Sequence, residues 1–141
     1  MKMRRLCAYI MALLLAVSMP LSAMAAEYDL VNGSIEINAP AEGDQTVSQG
    51  GGEGVSDSAP VITQSGGGST ANTVTIKADA GSTANVTLDG VNINSDGAAI
   101  QTSGGGNVTI ELDGENTVKS GEYHAGVEKQ NSGNLTITDD N

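Results

Sequence analysis

Four short segments of this chain share one spelling. Thr73-Val74-Thr75-Ile76, Asn85-Val86-Thr87-Leu88, Asn107-Val108-Thr109-Ile110 and Asn134-Leu135-Thr136-Ile137 each alternate a polar residue with an aliphatic one. That is the period-2 signature of a half-buried β-strand. Successive segments start 12, 22 and 27 residues apart. A second element precedes three of them: Ile62-Thr63-Gln64-Ser65-Gly66-Gly67-Gly68, Ile100-Gln101-Thr102-Ser103-Gly104-Gly105-Gly106 and Val127-Glu128-Lys129-Gln130-Asn131-Ser132-Gly133. A third follows two of them, as Asp89-Gly90-Val91-Asn92 and Asp113-Gly114-Glu115-Asn116. Repeats of this length mark stacked supersecondary units, none of which buries its apolar face alone. The fold class expected is all-β, a parallel β-helix or β-solenoid of few coils. Stacking should place Val74, Val86, Val108 and Leu135 in one column and Ile76, Leu88, Ile110 and Ile137 in the next. The step of 12 is too short for a full coil and reads as a hairpin or a partial first turn.

Composition supports a thin, regular core. Lys2, Arg4 and Arg5 precede an apolar run at residues 6–17, and Ala23-Met24-Ala25 offers small residues at positions −3 and −1 of a cleavage site. This is the layout of a secretory signal peptide, residues 1–25, with the mature chain starting at Ala26. The apolar run is short for a bilayer span, which takes about 20 residues. Cys7 lies inside that run and not after it, which argues against a lipid anchor. Beyond residue 25 there is no Cys, Met, Trp or Phe, and the aromatic rings are Tyr28, Tyr123 and His124. A helix bundle or ordinary globular core lacks its building blocks here. Val, Ile, Leu and Thr must carry the burial, and without Cys there are no disulfides to assist.

The mature part carries Lys77, Lys119 and Lys129 against all 17 acidic residues, a net charge of −14 with His124 neutral. Such a polyanion is repelled by nucleic acid and by anionic membranes. No membrane span is expected once the leader is removed, and the expected location is secreted or cell-surface. Residues 26–59 read as two N-terminal strands around a Gly turn, followed by a flexible Gly-rich, acidic loop over residues 38–58 with little reason to pack. Residues 60–141 hold the repeats. They stop at Asp139-Asp140-Asn141 directly after a strand segment, so the solenoid is expected to be incomplete at that end.

Three sets of residues stand out as sites. Asn85, Asn107 and Asn134 open successive segments. Each starts an Asn-X-Thr sequon, but a hydrogen-bonded ladder of stacked amides is the better reading. Asp89 and Asp113 open equivalent Asp-Gly pairs, and Asp139-Asp140 follows the last segment. Such a column would repel itself unless a cation such as Ca2+ relieved it, although Asp-Gly is also a common turn pair. Tyr123 and His124 lie in an insertion between coils, where an exposed ring could stack on a sugar. Catalysis has less to stand on. A polysaccharide lyase needs a basic residue beside calcium-bound acids, yet the mature chain has no Arg and three scattered Lys. His124 alone would have to carry Ser/His/Asp chemistry, and sequence spacing does not establish a glycosidase carboxylate pair.

A resemblance joins these features. Tyr28-Asp29-Leu30 with Gly33-Ser34-Ile35, then residues 84–93, 114–121, 125–129 and 133–137, resemble the secreted bacterial carbohydrate-binding domain-containing proteins. The resemblance covers nearly all of the mature chain. It implies a right-handed parallel β-helix of pectate-lyase-like shape and a cell-surface binder of polysaccharide that takes up calcium. It does not map calcium ligands onto numbered positions. The expected function is therefore a non-catalytic extracellular polysaccharide-binding module, calcium-assisted. A structural or adhesive stalk is the alternative, and a pectate-lyase-like enzyme a more remote one.

Overall fold

A computed structural model describes residues 25–140. The chain winds as a β-solenoid. Its first pass runs from β1 (Glu27–Asp29) through a 3-10 turn (Leu30–Asn32) to β2 (Ile35–Ala39). A hairpin of β3 (Thr46–Gln49) and β4 (Val55–Ser56) follows. The second pass holds β5 (Val61–Thr63) and β6 (Val74–Ala78), the third β7 (Thr83–Asp89), β8 (Asn92–Asn94) and β9 (Ile100–Ser103). The fourth holds β10 (Asn107–Asp113), β11 (Thr117–Lys119) and β12 (Val127–Lys129), and β13 (Leu135–Thr138) opens a further pass.

Each pass visits three faces in the same order. One face is the parallel sheet β1-β5-β7-β10-β13; the narrow second face pairs β8 with β11 and continues through a bridge from Thr70 to Ile93. The third is the broad sheet β12-β9-β6-β2-β3-β4, parallel until the hairpin joins it antiparallel. Inward residues stack into columns. Ile62, Leu88 and Leu112 form one. Val86, Ile110 and Ile137 form another, and Ala84, Val108 and Leu135 a third. Across the core stand Ile35, Val74, Ile100 and Val127. Most of these side chains are fully buried, each worth roughly 1.5–3 kcal/mol.

The register corrects the sequence reading in two ways. Val74 and Ile76 do not stack on Val86 and Leu88; they lie on the broad sheet, paired with Ile35, Ile37 and Ile100. The step of 12 is thus the path from one face of a coil to the next. The β7–β10 pair is also offset by two from the expected alignment, with Ile110 opposite Val86 and Asp113 opposite Asp89. Matching the turns won over matching the Asn-Val-Thr spelling. Alternate positions keep the same face, so a shift of two leaves the buried set inside.

Coils pack so closely that some turn positions exclude any side chain. Gly104 has φ +91, and a Cβ there would run into the Ala78 carbonyl oxygen of the preceding coil. Gly supplies the positive φ and the close approach at once.

Residues 38–58 are not the flexible loop expected. Val47 is buried at 1% exposure, and Gln45 and Asp57 are buried with it. The hairpin extends the broad sheet, and its flank closes the first turns of the solenoid.

Candidate functional site

The solenoid turns amide side chains into substitutes for missing backbone. Strand β5 covers β7 only at Thr87 and Leu88, so Asn85 has no strand neighbour on that side. Gln45 fills the gap: its Nε2 donates to the Asn85 carbonyl (2.9 Å) and its Oε1 accepts from the Asn85 N–H (2.9 Å). Gln64 does the same for the Asn92 N–H (2.8 Å), and Asn116 for the Val91 N–H (3.0 Å). Asn131, buried, accepts from the Thr102 hydroxyl at 2.7 Å and donates to the Gly106 carbonyl at 3.0 Å. Those that reach the main chain spare a backbone group the cost of burial without a partner.

Of the expected amide ladder of Asn85, Asn107 and Asn134, the structure shows one link, and it runs from main chain to side chain and not between amides. Asn107 Oδ1 accepts from the Asn134 N–H at 2.9 Å. Asn85 falls opposite Thr109, not Asn107, because the β7–β10 register is set by the turns.

The outward residues of the broad sheet form two polar rows along the solenoid axis. One row is Ser48, Glu36, Thr75, Gln101 and Glu128. Beside it run Ser56, Thr46, Asn38, Lys77 and Ser103. These are the polar partners of a strict alternation: β2 buries Ile35, Ile37 and Ala39 and exposes Glu36 and Asn38. A shallow groove over the middle of the face is lined by Glu36, Asn38, Thr75, Lys77 and Ser103. Lys77 Nζ stands 3.1 Å from Asp79 Oδ1. Adjacent strands lie about 4.8 Å apart, so the face offers hydroxyls, amides and charges at a spacing close to the length of one sugar in an extended chain.

His124 meets one end of this face through Glu128, and Tyr123 precedes it in the loop between β11 and β12. Their loop is anchored where Gly121 packs on the Asp96 carbonyl, too close for any side chain. Ser120 Oγ donates to the His124 carbonyl at 2.7 Å. The His124 ring lies 2.8 Å from Glu128 Oε2. Hydrogen bonds from His124 first, then Gln130 and Gln101, hold the Glu128 carboxyl below its usual pKa. Tyr123 is left 99% exposed and adopts φ +68, uncommon for a residue with a side chain. The structure therefore brings His124 against Glu128, whose row continues through Gln101 and Thr75, residues that the repeat pattern did not single out. The signal that marks them is the outward half of each alternating strand.

The acidic candidates lie elsewhere. Asp89 and Asp113 are register neighbours at the ends of β7 and β10, and a Cβ on Gly114 would come within 3.0 Å of Asp89 Oδ1. Asp139 and Asp140 follow β13, where the Asp140 N–H donates to Glu111 Oε1 at 2.9 Å. Among the described residues no three His, Cys, Asp or Glu side chains gather as a metal-binding group. A calcium ion takes six to eight oxygens, of which the Asp89–Asp113 pair would supply a minority.

Among the described residues no helix is long and apolar enough to cross a membrane. Comparison with protein-family models, with curated proteins and with solved structures gives no significant match. Fold alone does not name a function, and the site has to supply it.

Proposed function

We propose that this is an exported, non-catalytic polysaccharide-binding module that lays an extended glycan along the outer face of the broad sheet. The observation that carries this reading is the pair of polar rows from Ser48 and Ser56 to Glu128 and Ser103, with the exposed Tyr123 next in sequence to His124, which meets Glu128. Serine, threonine and amide groups recognise sugar hydroxyls by hydrogen bonds, and an exposed tyrosine offers a ring for stacking. The acidic surface favours a neutral or cationic glycan over a polyuronide. Calcium assistance would draw on Asp89 and Asp113, off the glycan face, completed by water oxygens, and would act through the solenoid and not through the glycan.

The test is retention of the mature protein on cellulose, chitosan, pectate and peptidoglycan, with calcium and with chelator. The expected result is retention on cellulose or chitosan that falls about tenfold on Tyr123→Ala or on the pair Thr75→Ala with Gln101→Ala, a loss of about 1.4 kcal/mol in binding. Retention that these changes leave untouched would remove the face from consideration. Loss on adding chelator, reproduced by Asp113→Asn, would support calcium assistance. No retention on any polymer, with a β-rich circular dichroism spectrum, would favour a structural stalk, a reading to which the continuous parallel ladder of β7, β10 and β13 also lends itself.

A further inference from the structure

A buried carboxylate without a side-chain cation needs an explanation, because an isolated buried charge is costly. Asp57 is 4% exposed. The lysine and histidine ion pairs among the described residues are Lys77 with Asp79 and His124 with Glu128, both remote from it. Its Oδ1 accepts from the Ala59 N–H at 3.0 Å. Its Oδ2 accepts from the backbone nitrogen of Ala26, also at 3.0 Å. Ala26 is held there by a second contact, its carbonyl accepting from the Val61 N–H at 3.0 Å. Asp57 is fixed in turn by Gln45, whose carbonyl accepts the Asp57 N–H and whose amide donates to the Asp57 carbonyl. The Tyr28 hydroxyl has its pKa raised by partial burial first and by the neighbouring Asp57 charge second.

Ala26 is also the residue at which the leader pattern places the mature N-terminus. We infer that removal of residues 1–25 creates an α-ammonium group on Ala26 that pairs with Asp57 and locks the N-terminal hairpin onto the solenoid. The inference rests on the leader reading and is independent of what the protein binds. A leader peptidase hydrolyses the Ala25–Ala26 bond with one water. The water oxygen ends in the Ala25 carboxylate, and both its hydrogens end on the Ala26 nitrogen, giving the ammonium. A neutral amide donor thus becomes a charged one opposite a buried anion, without moving the backbone. Charge-assisted hydrogen bonds are shorter and about twice as strong as neutral ones. The pair would tie β1 to the hairpin and signal, in the folded protein, that export processing is complete.

The experiment starts from the full precursor, exported and recovered. Its intact mass reports the first residue, and a start other than Ala26 overturns the inference at the leader step. The α-amino pKa of Ala26 is then followed by NMR. An ordinary α-amino group titrates at about 7.7–8.0, and the expected value lies at least one unit higher, a tenfold preference for the charged form. Glu27 and Tyr28 follow it on β1 and Asp57 faces it from the hairpin segment, so Asp57→Asn must abolish the shift while Glu27→Gln leaves most of it. A value in the ordinary range, or one unmoved by Asp57→Asn, would sink the pairing. Should Asp57→Asn fail to fold, the mature protein extended by Ala25 supplies the second reading. Its displaced amino group is expected to titrate normally and its unfolding constant to rise about tenfold; an elevated pKa in that form, or equal stability of the two forms, would overturn the inference.

Discussion

At the N-terminal end of the solenoid Leu30 is buried at 0% exposure, and Val47, in the hairpin that interrupts the repeat, at 1%. In the last described coil Leu112, Val118, Val127 and Leu135 are only partly buried, and Ile137 is half exposed. Leu112, Val118, Val127 and Ile137 line a small apolar cavity together with Leu88, Ile100 and Ile110. Both ends present the same problem, a stack of aliphatic columns and a row of unpaired strand edges. The first end solves it with inserted sequence. Gln45 satisfies Asn85, and Gln49 donates to the carbonyls of Asp29 and Gly33 at 2.7 and 3.2 Å. Among the described residues the last coil carries no comparable inserted hairpin. The comparison teaches that the repeat builds the column while departures from the repeat close it.

The strongest challenge to this contrast is a pair of core truncations. Leu30→Ala is expected to cost about 2–5 kcal/mol, as for a closed core. Ile137→Ala should cost about 1 kcal/mol or less, since half its surface already meets water. Urea unfolding of the two variants measures the difference, and equal losses would mean the two ends are equally well closed. A smaller effect sharpens the role of the amides. Gln45→Ala leaves the Asn85 N–H and carbonyl without their partners and should lose about 1–3 kcal/mol. Asn38→Ala, an exposed amide of the polar face, should change unfolding little while any glycan retention falls.

The smallest effects are electrostatic and local. Asp29, near the first end, has its pKa lowered from 3.8 by hydrogen bonds from Ser65 first and then Val31. Glu128, near the other, has its pKa lowered from 4.5 by His124 first. A depressed pKa means that each carboxylate contributes fully above its ordinary value and loses that contribution as pH falls through the depressed one. Both groups are partly open to solvent, so screening keeps the effect on global stability slight. Amide exchange should nonetheless quicken at Val31 and Ser65 in Asp29→Asn, and in the loop at residues 120–126 in Glu128→Gln. The acid-induced loosening of each segment should disappear in its own variant and persist in the other.

Much of this architecture was legible before any coordinates. Alternation in the segments at residues 85–88, 107–110 and 134–137 marks strands, and the Gly-rich spacers mark the corners of coils. The pairing of Asp89 with Asp113 follows from equivalent Asp-Gly turns. What misled was the shared spelling of residues 73–76 and 85–88. The two segments look alike because each buries alternate aliphatics, but they face the core from different sheets. The segment at residues 38–58 misled in the opposite way. Its glycines and acids read as solvent-exposed loop, whereas single residues, Val47, Gln45 and Asp57, give it a buried flank that composition averages away.

The sequence by itself determined that the chain is β-rich and repetitive, because period-2 alternation and the absence of large core residues leave little else that can bury apolar surface. It also determined which residues of each strand face outward, since that parity survives a register shift of two. Only the tertiary structure decided which strands share a sheet, that Asn107 bonds to Asn134 while Asn85 does not, and that Ala26 meets Asp57. Those outcomes depend on where each coil turns its corners and on partners distant in the chain. Residues 31 positions apart, as Ala26 and Asp57 are, carry no local pattern that announces their contact.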